Sequence, residues 1–164
     1  MARYKMRQHL LSIGEDFTIE DESGRPVYKV DGKVLTIRET FEITDMHGRE
    51  VATVREKKLA IRDSMKILRG GDTIATVKKA LISPFRDRFS VDLEAGGELE
   101  VDGSLLDHDY TMRRDGDVVA RVSKSWFSIR DTYGIDIAAG QDEGLVLAVA
   151  VALDEMVHDP DEKK

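Results

Sequence analysis

Nine apolar residues in a row, Leu145 to Leu153 (LVLAVAVAL), stand near the end of a 164-residue chain in which 35% of residues are charged. A segment with no polar face has to be enclosed on every side, so the rest of the chain must be able to surround it. Asp142 and Glu143 precede the run and suit a helix N-terminus, while His158 and Pro160 follow as end signals. Alternating Val and Ala would also suit a buried strand, and periodicity alone does not separate the two. Apolar positions continue to Met156 and Val157, and this favours a helix over residues 142–158. As a helix the nine residues rise only about 14 Å, half the thickness of a hydrocarbon core, so the run does not read as a transmembrane segment.

What precedes the run is β-hairpins. Ile19-Glu-Asp-Glu-Ser-Gly24-Arg-Pro-Val-Tyr-Lys-Val30 aligns without gaps on Ile43-Thr-Asp-Met-His-Gly48-Arg-Glu-Val-Ala-Thr-Val54. Ile67 to Val77 repeats the pattern with one residue fewer, and Met112 to Val122 repeats it again. Each unit reads as strand, turn, strand. Asp can bond its own backbone in a turn, and Gly supplies the positive φ. The flanks alternate and are rich in Val, Ile and Thr, which suit a pleated surface. Gly70-Gly71 has no helix after it and reads as one more turn. Short strands at regular spacing from residue 4 to residue 138 predict a sandwich or barrel. A β-domain that must surround one helix is a barrel with a helical axle. Residues 1–158 read as a single domain, and 159–164 (DPDEKK) as a frayed, solvated tail.

Catalytic chemistry has little footing. The chain has no cysteine, which removes disulfides, thiolate metal sites and cysteine nucleophiles. It contains no phosphate-binding glycine loop, no dinucleotide fingerprint, no H-E-x-x-H and no G-x-S-x-G. None of His9, His47, His108 and His158 has metal-ligand spacing to another. His47 falls in a turn and is expected to be exposed. His108 lies between Asp107 and Asp109; strand alternation would put the acids on one face and the imidazole on the other, so a surface cluster is expected. The acid pairs Asp21/Glu22 and Asp115/Asp117 fall in turns. The reading is a non-enzymatic protein with no cofactor and no metal.

Charge is unevenly placed. The net charge is −7, which argues against nucleic acid as a partner. Yet between Arg55 and Arg88 ten cations stand against four acids. Such an excess can form a basic face for phosphate-bearing head groups or another acidic partner; it can also be outward cations that keep a surface soluble and strand edges unattractive. Lys57, Lys58, Lys78, Lys79, Arg86 and Arg88 are the candidate binding residues of this segment. Near the end of the β-region, Lys124, Trp126 and Arg130 would share one face of a strand, with Phe127 on the other, and complete the candidate set.

The motifs Phe17-Thr-Ile-Glu-Asp…Gly24-Arg-x-Val27-Tyr-Lys-Val30, Val122-Ser-Lys-x-Trp126-Phe-Ser128, Arg130-Asp-Thr-Tyr-Gly-Ile-Asp-Ile137 and Leu147-Ala-Val-Ala-Val151, in this order, resemble the LURP-one-related family. The resemblance implies a mainly β, tubby-like fold: a closed antiparallel barrel of about twelve strands around a central hydrophobic C-terminal α-helix, distantly related to the phospholipid scramblases. It carries over no catalytic residues. Tubby-type domains bind phosphoinositides through surface cations, so the resemblance implies an anionic lipid or membrane surface as partner. The alternative is a soluble scaffold or regulatory module that binds another protein. With no secretory signal and no transmembrane segment, the expected location is the cytoplasm, with peripheral attachment to a membrane under the lipid reading.

Overall fold

The computed structural model describes residues 2–7, 16–35, 38–56, 64–79, 87–105, 107–124 and 132–157. Twelve strands come first: β1 (Ala2–Arg7), β2 (Asp16–Asp21), β3 (Pro26–Leu35), β4 (Arg38–Asp45), β5 (Glu50–Glu56), β6 (Ser64–Arg69), β7 (Asp72–Lys79), β8 (Asp87–Leu93), β9 (Glu98–Ser104), β10 (Asp109–Arg114), β11 (Asp117–Ser123) and β12 (Thr132–Ile137). A helix, α1 (Glu143–Val157), closes the order. Each strand pairs antiparallel with its sequence neighbours, and β1 pairs with β12 from Ala2↔Ile137 to Arg7↔Thr132. The sheet is therefore a closed barrel, the architecture that leaves no strand edge exposed.

The gapless sequence repeat is a repeat of geometry. In the β2–β3 turn Asp21 Oδ1 accepts hydrogen bonds from the backbone N–H of Ser23 (2.9 Å) and Arg25 (3.0 Å). In the β4–β5 turn Asp45 Oδ1 does the same for His47 (2.8 Å) and Arg49 (3.0 Å). Gly24 and Gly48 follow at φ of 85° and 80°, where a Cβ is costly. These bonds hold both carboxyls below the usual range, the hydroxyl of Ser23 contributing most at Asp21 and the Arg49 N–H at Asp45. His47 is exposed, as expected.

The repeat extends to an irregularity. The ladder shifts between Ile19 and Glu20, Ile43 and Thr44, Ile67 and Leu68, and Met112 and Arg113. Those are the first residues of the four repeats seen in the sequence. A bulge in front of each of these turns tightens the local twist and helps a sheet of this many strands to curl on itself.

The nine-residue apolar run is inside. Every residue from Val146 to Leu153 is buried, with Leu147 to Ala152 at 0% exposure. The helix packs against β5, β6, β7 and β12. Alternate small side chains, Ala148, Ala150 and Ala152, keep the rod slim enough for the barrel. Inward residues of the strands (Ile19, Ile43, Val54, Val77, Val91 and Ile135 among them) are fully buried and form the lining. The helix reading for 142–158 holds to within a residue over what is described. Because the strands run alternately up and down, the β2–β3, β4–β5, β6–β7, β8–β9 and β10–β11 turns fall at one end of the barrel. We call this the near end, since the chain passes there from β12 into α1. The opposite, far end carries the last residues of β5, β7, β9 and β11, the first residues of β6, β8, β10 and β12, and the C-terminus of α1.

Candidate functional site

Three polar constructions stand out from this apolar frame: a clamp at the near end, a cationic wall outside, and a buried cluster toward the far end.

The clamp fixes the start of α1. Asp142 caps the helix, accepting from the N–H of Leu145 at 3.2 Å. Arg69, at the end of β6, donates twice to the same carboxylate (2.9 and 3.1 Å) and once to the Val51 carbonyl (2.8 Å). The bond from Arg69, followed by the cap, pulls the Asp142 carboxyl below its usual range. The Tyr4 hydroxyl donates to Glu143, and the Tyr28 ring lies 5.8 Å from that of Tyr4. Gly144 follows because a Cβ there would run into Cγ1 of Val51.

The wall comes from strand alternation. Ala52 and Val54 of β5, Met65 and Ile67 of β6, Ala75 and Val77 of β7, and Phe89 and Val91 of β8 point inward and are buried. Arg55, Lys66, Lys78 and Arg88 therefore point outward on four consecutive strands. Arg55 stands directly opposite Lys66 in the ladder. Lys66 faces Thr76, which places Lys78 on its diagonal; Lys78 faces Ser90, which places Arg88 on the next. Lys78 binds Asp92 at 2.6 Å, and Asp102 lies opposite Arg88. Arg55, Lys66 and Arg88 form no ion pair with any described residue, and Lys79 at the rim is exposed without one.

Of the residues expected from the sequence, Lys78, Lys79 and Arg88 fall on or beside this wall. Lys57, Lys58, Arg86, Trp126 and Arg130 lie outside the described residues. Lys124 does not join the group, because it follows β11, three strands from β8; like Arg55 and Lys66 it is half-buried. The strand face expected to carry Lys124, Trp126 and Arg130 falls mostly on residues 125–131, outside the described residues, between the end of β11 at Ser123 and the start of β12 at Thr132. Arg55 and Lys66 were not singled out, although Thr53-Val-Arg55 and Met65-Lys-Ile67 carry the alternation that would have placed them outward.

The buried cluster overturns the expectation for His108. Asp107 and Asp109 are exposed, but His108 is 1% exposed and lies in the β9–β10 turn, not on a strand. Its φ of 50° turns the ring inward. There Nε2 meets Asp154 Oδ1 of α1 at 2.7 Å, both side chains being 2% exposed. The imidazole stacks on Tyr133 of β12, centroids 4.2 Å apart. Burial pushes the phenols of Tyr110 and Tyr133 well up, and the charge of Asp154 adds to both. The Tyr133 hydroxyl has no hydrogen-bond partner among the described residues. Two residues 46 apart in sequence make this contact, and no spacing rule announces it.

Among the described residues no group of three or more His, Asp and Glu could hold a metal ion, and no helix is long and apolar enough to cross a membrane.

The comparisons with known proteins agree with this frame. The family model described as LURP-one-related matches residues 2–154. The uncharacterized protein YxjI of Bacillus subtilis (strain 168) is 25% identical over 163 residues, spanning 99% of this chain and 98% of that one. An X-ray structure of an Arabidopsis thaliana protein superposes with a TM-score of 0.68 at 19% identity, covering 95% of this chain and 92% of that one; at that identity the likeness is one of fold.

Proposed function

The chain belongs to the LURP-one-related family, and from that premise we propose that it is a non-enzymatic barrel that binds anionic membrane surfaces through the outer wall of β5 to β8. The observation that carries the reading is the direct cross-strand pair Arg55–Lys66. Like charges opposite one another in a ladder are unfavourable. Here neither cation forms an ion pair with a described acid, Glu42 being the acid on the diagonal of Arg55, and the row continues with Lys78, paired with Asp92, and Arg88. Protection of exposed edges gives no reason for such cations, because a closed barrel has no edges. Solubility gives little more, since the chain already carries a net charge of −7. A phosphate-bearing surface would relieve the repulsion and gain about 1 kcal/mol for each cation brought close.

Co-sedimentation with vesicles tests this. Vesicles of phosphatidylglycerol and phosphatidylcholine should bind the protein at low salt, release it as salt rises, and outcompete pure phosphatidylcholine. The double substitution Arg55→Gln/Lys66→Gln should weaken binding roughly thirtyfold on the per-cation figure. Arg25→Gln/Arg49→Gln removes as much charge from the near end and should change little. Equal, negligible binding to both vesicle types at low salt would reject the proposal.

A further inference from the structure

We propose that the His108–Asp154 pair is a latch: it holds the C-terminal half of α1 in the barrel and lets that half undock while the rest stays folded.

The two ends of the helix are built on different terms. At the near end the polar groups are partly solvated and satisfied, by a helix cap, a bidentate Arg69–Asp142 pair and the Arg69–Val51 bond. Toward the far end, unfavourable features accumulate around one bond. Asp154 is an acid near the C-terminus of a helix that ends at Val157, where the dipole disfavours negative charge. It is withdrawn from water, and its charge adds to the burial that lifts two neighbouring phenols. The Tyr133 hydroxyl is buried with no partner among the described residues, which forfeits its desolvation energy. His108 is held at φ 50°, a sparsely populated region for a non-glycine residue.

Replacing both partners by apolar residues would satisfy the core with less strain, as replacement of whole buried ion pairs often shows, whereas loss of one partner leaves the other buried and uncompensated. A core that gathers its costs around one such pair is weakest there once the pair breaks, and local opening is expected to start at that point. Asp154 lies about three turns from Glu143, so the near-end clamp can persist while the last turns leave. The inference does not depend on what binds the outer wall.

The absence of cysteine gives a clean test on the full chain. Ala152→Cys and Ala148→Cys, both at positions of 0% exposure, place single thiols on the two halves of α1. Their labelling rates under native conditions are compared with and without Asp154→Asn, and with and without His108→Asn, which keeps a residue that tolerates positive φ. The latch predicts that Cys labelling at position 152 accelerates about ten- to hundredfold, the equilibrium weight of one buried charged hydrogen bond, while labelling at 148 stays at the parent rate. Equal acceleration at both positions, tracking the loss of overall stability, would overturn the proposal. So would no acceleration at 152. Should Asp154→Asn fail to fold, Asp154→Leu serves as the second variant: it leaves His108 buried without this carboxylate and should accelerate labelling at 152 but not at 148, and equal acceleration at both positions, or none at 152, would count against a latch.

Discussion

Leu145 and Leu147 sit two residues apart in α1, yet their surroundings differ: Leu147 is at 0% exposure in the centre of the core, whereas Leu145 is only partly buried. Truncating each to Ala removes the same atoms from the same helix, so the small gain in helix propensity cancels between them. At Leu147 the lost transfer energy of about three methylene equivalents is roughly 2.4 kcal/mol. The strand lining cannot collapse onto the gap from all sides, so a cavity contribution is added and the total should reach about 3–5 kcal/mol. Leu145→Ala should cost less than about 1.5 kcal/mol, since part of its surface is already in water. For a chain of this length 1 kcal/mol corresponds to roughly 2–4 °C in Tm. Leu147→Ala should therefore melt roughly 6–20 °C below the parent, and Leu145→Ala within about 6 °C of it. Urea titration gives the free energies directly, and the slopes should agree among the three proteins. Equal effects of the two substitutions, or a loss below about 1 kcal/mol at Leu147, would refute an enclosed axle.

Other substitutions probe other parts of the frame. Val149→Asp places an unpaired charge at 0% exposure, a cost of several kcal/mol against a total of about 5–15; circular dichroism should show no cooperative melt near the parent's. Gly103 has φ +140°, and a Cβ there would lie 2.6 Å from the Asp109 carbonyl oxygen and 2.7 Å from Tyr110 Cα. Gly103→Ala should thus cost about 1–3 kcal/mol by denaturant titration, and more than Gly97→Ala, whose nearest neighbour is the Arg114 side chain. Because the Arg69 bond lowers the Asp142 carboxyl, that group stabilises the fold above the unfolded carboxylate pKa of about 3.9 and loses its contribution as pH falls through the lower folded value. Asp142→Asn keeps a good helix cap; its stability deficit should be constant between neutral pH and about pH 5 and close on further acidification, and a deficit that persists in strong acid would contradict the assignment.

Much of the fold was legible because it is built from local rules. Asp-x-x-Gly turns announce themselves in a stretch of five residues, and the repeat of Ile19–Val30 at Ile43–Val54 is carried through to the hydrogen bonds of Asp21 and Asp45. The helix was legible because a run without a polar face has few places to go. The wall was half legible: the local excess of cations is a property of the sequence, but which of them share a face depends on the ladder. Lys66 and Lys78 become neighbours only through the Lys66↔Thr76 register. The cluster of His108 was not legible at all. The acids on either side suggested a surface, and its partner is the first of two adjacent acids that follow the apolar run of α1, 46 residues away. Asp154 and Glu155 stand together near the end of α1, and the barrel extends far enough to bury the first of them.

The meander that makes this barrel easy to read also sets the order in which a ribosome would deliver it. Each of the first eleven pairings is complete soon after its strands appear, but the seam between β1 and β12 joins the first strand to the last, and the axle is made after both. Among the described elements the innermost is the last to be synthesised. A nascent chain with all twelve strands and no α1 has a lining of Ile, Val and Met with nothing to line. Such a chain has to wait in an unclosed state until the last turns of helix are released, and throughout that interval it offers its greasiest surface to holdase chaperones and to other copies of itself.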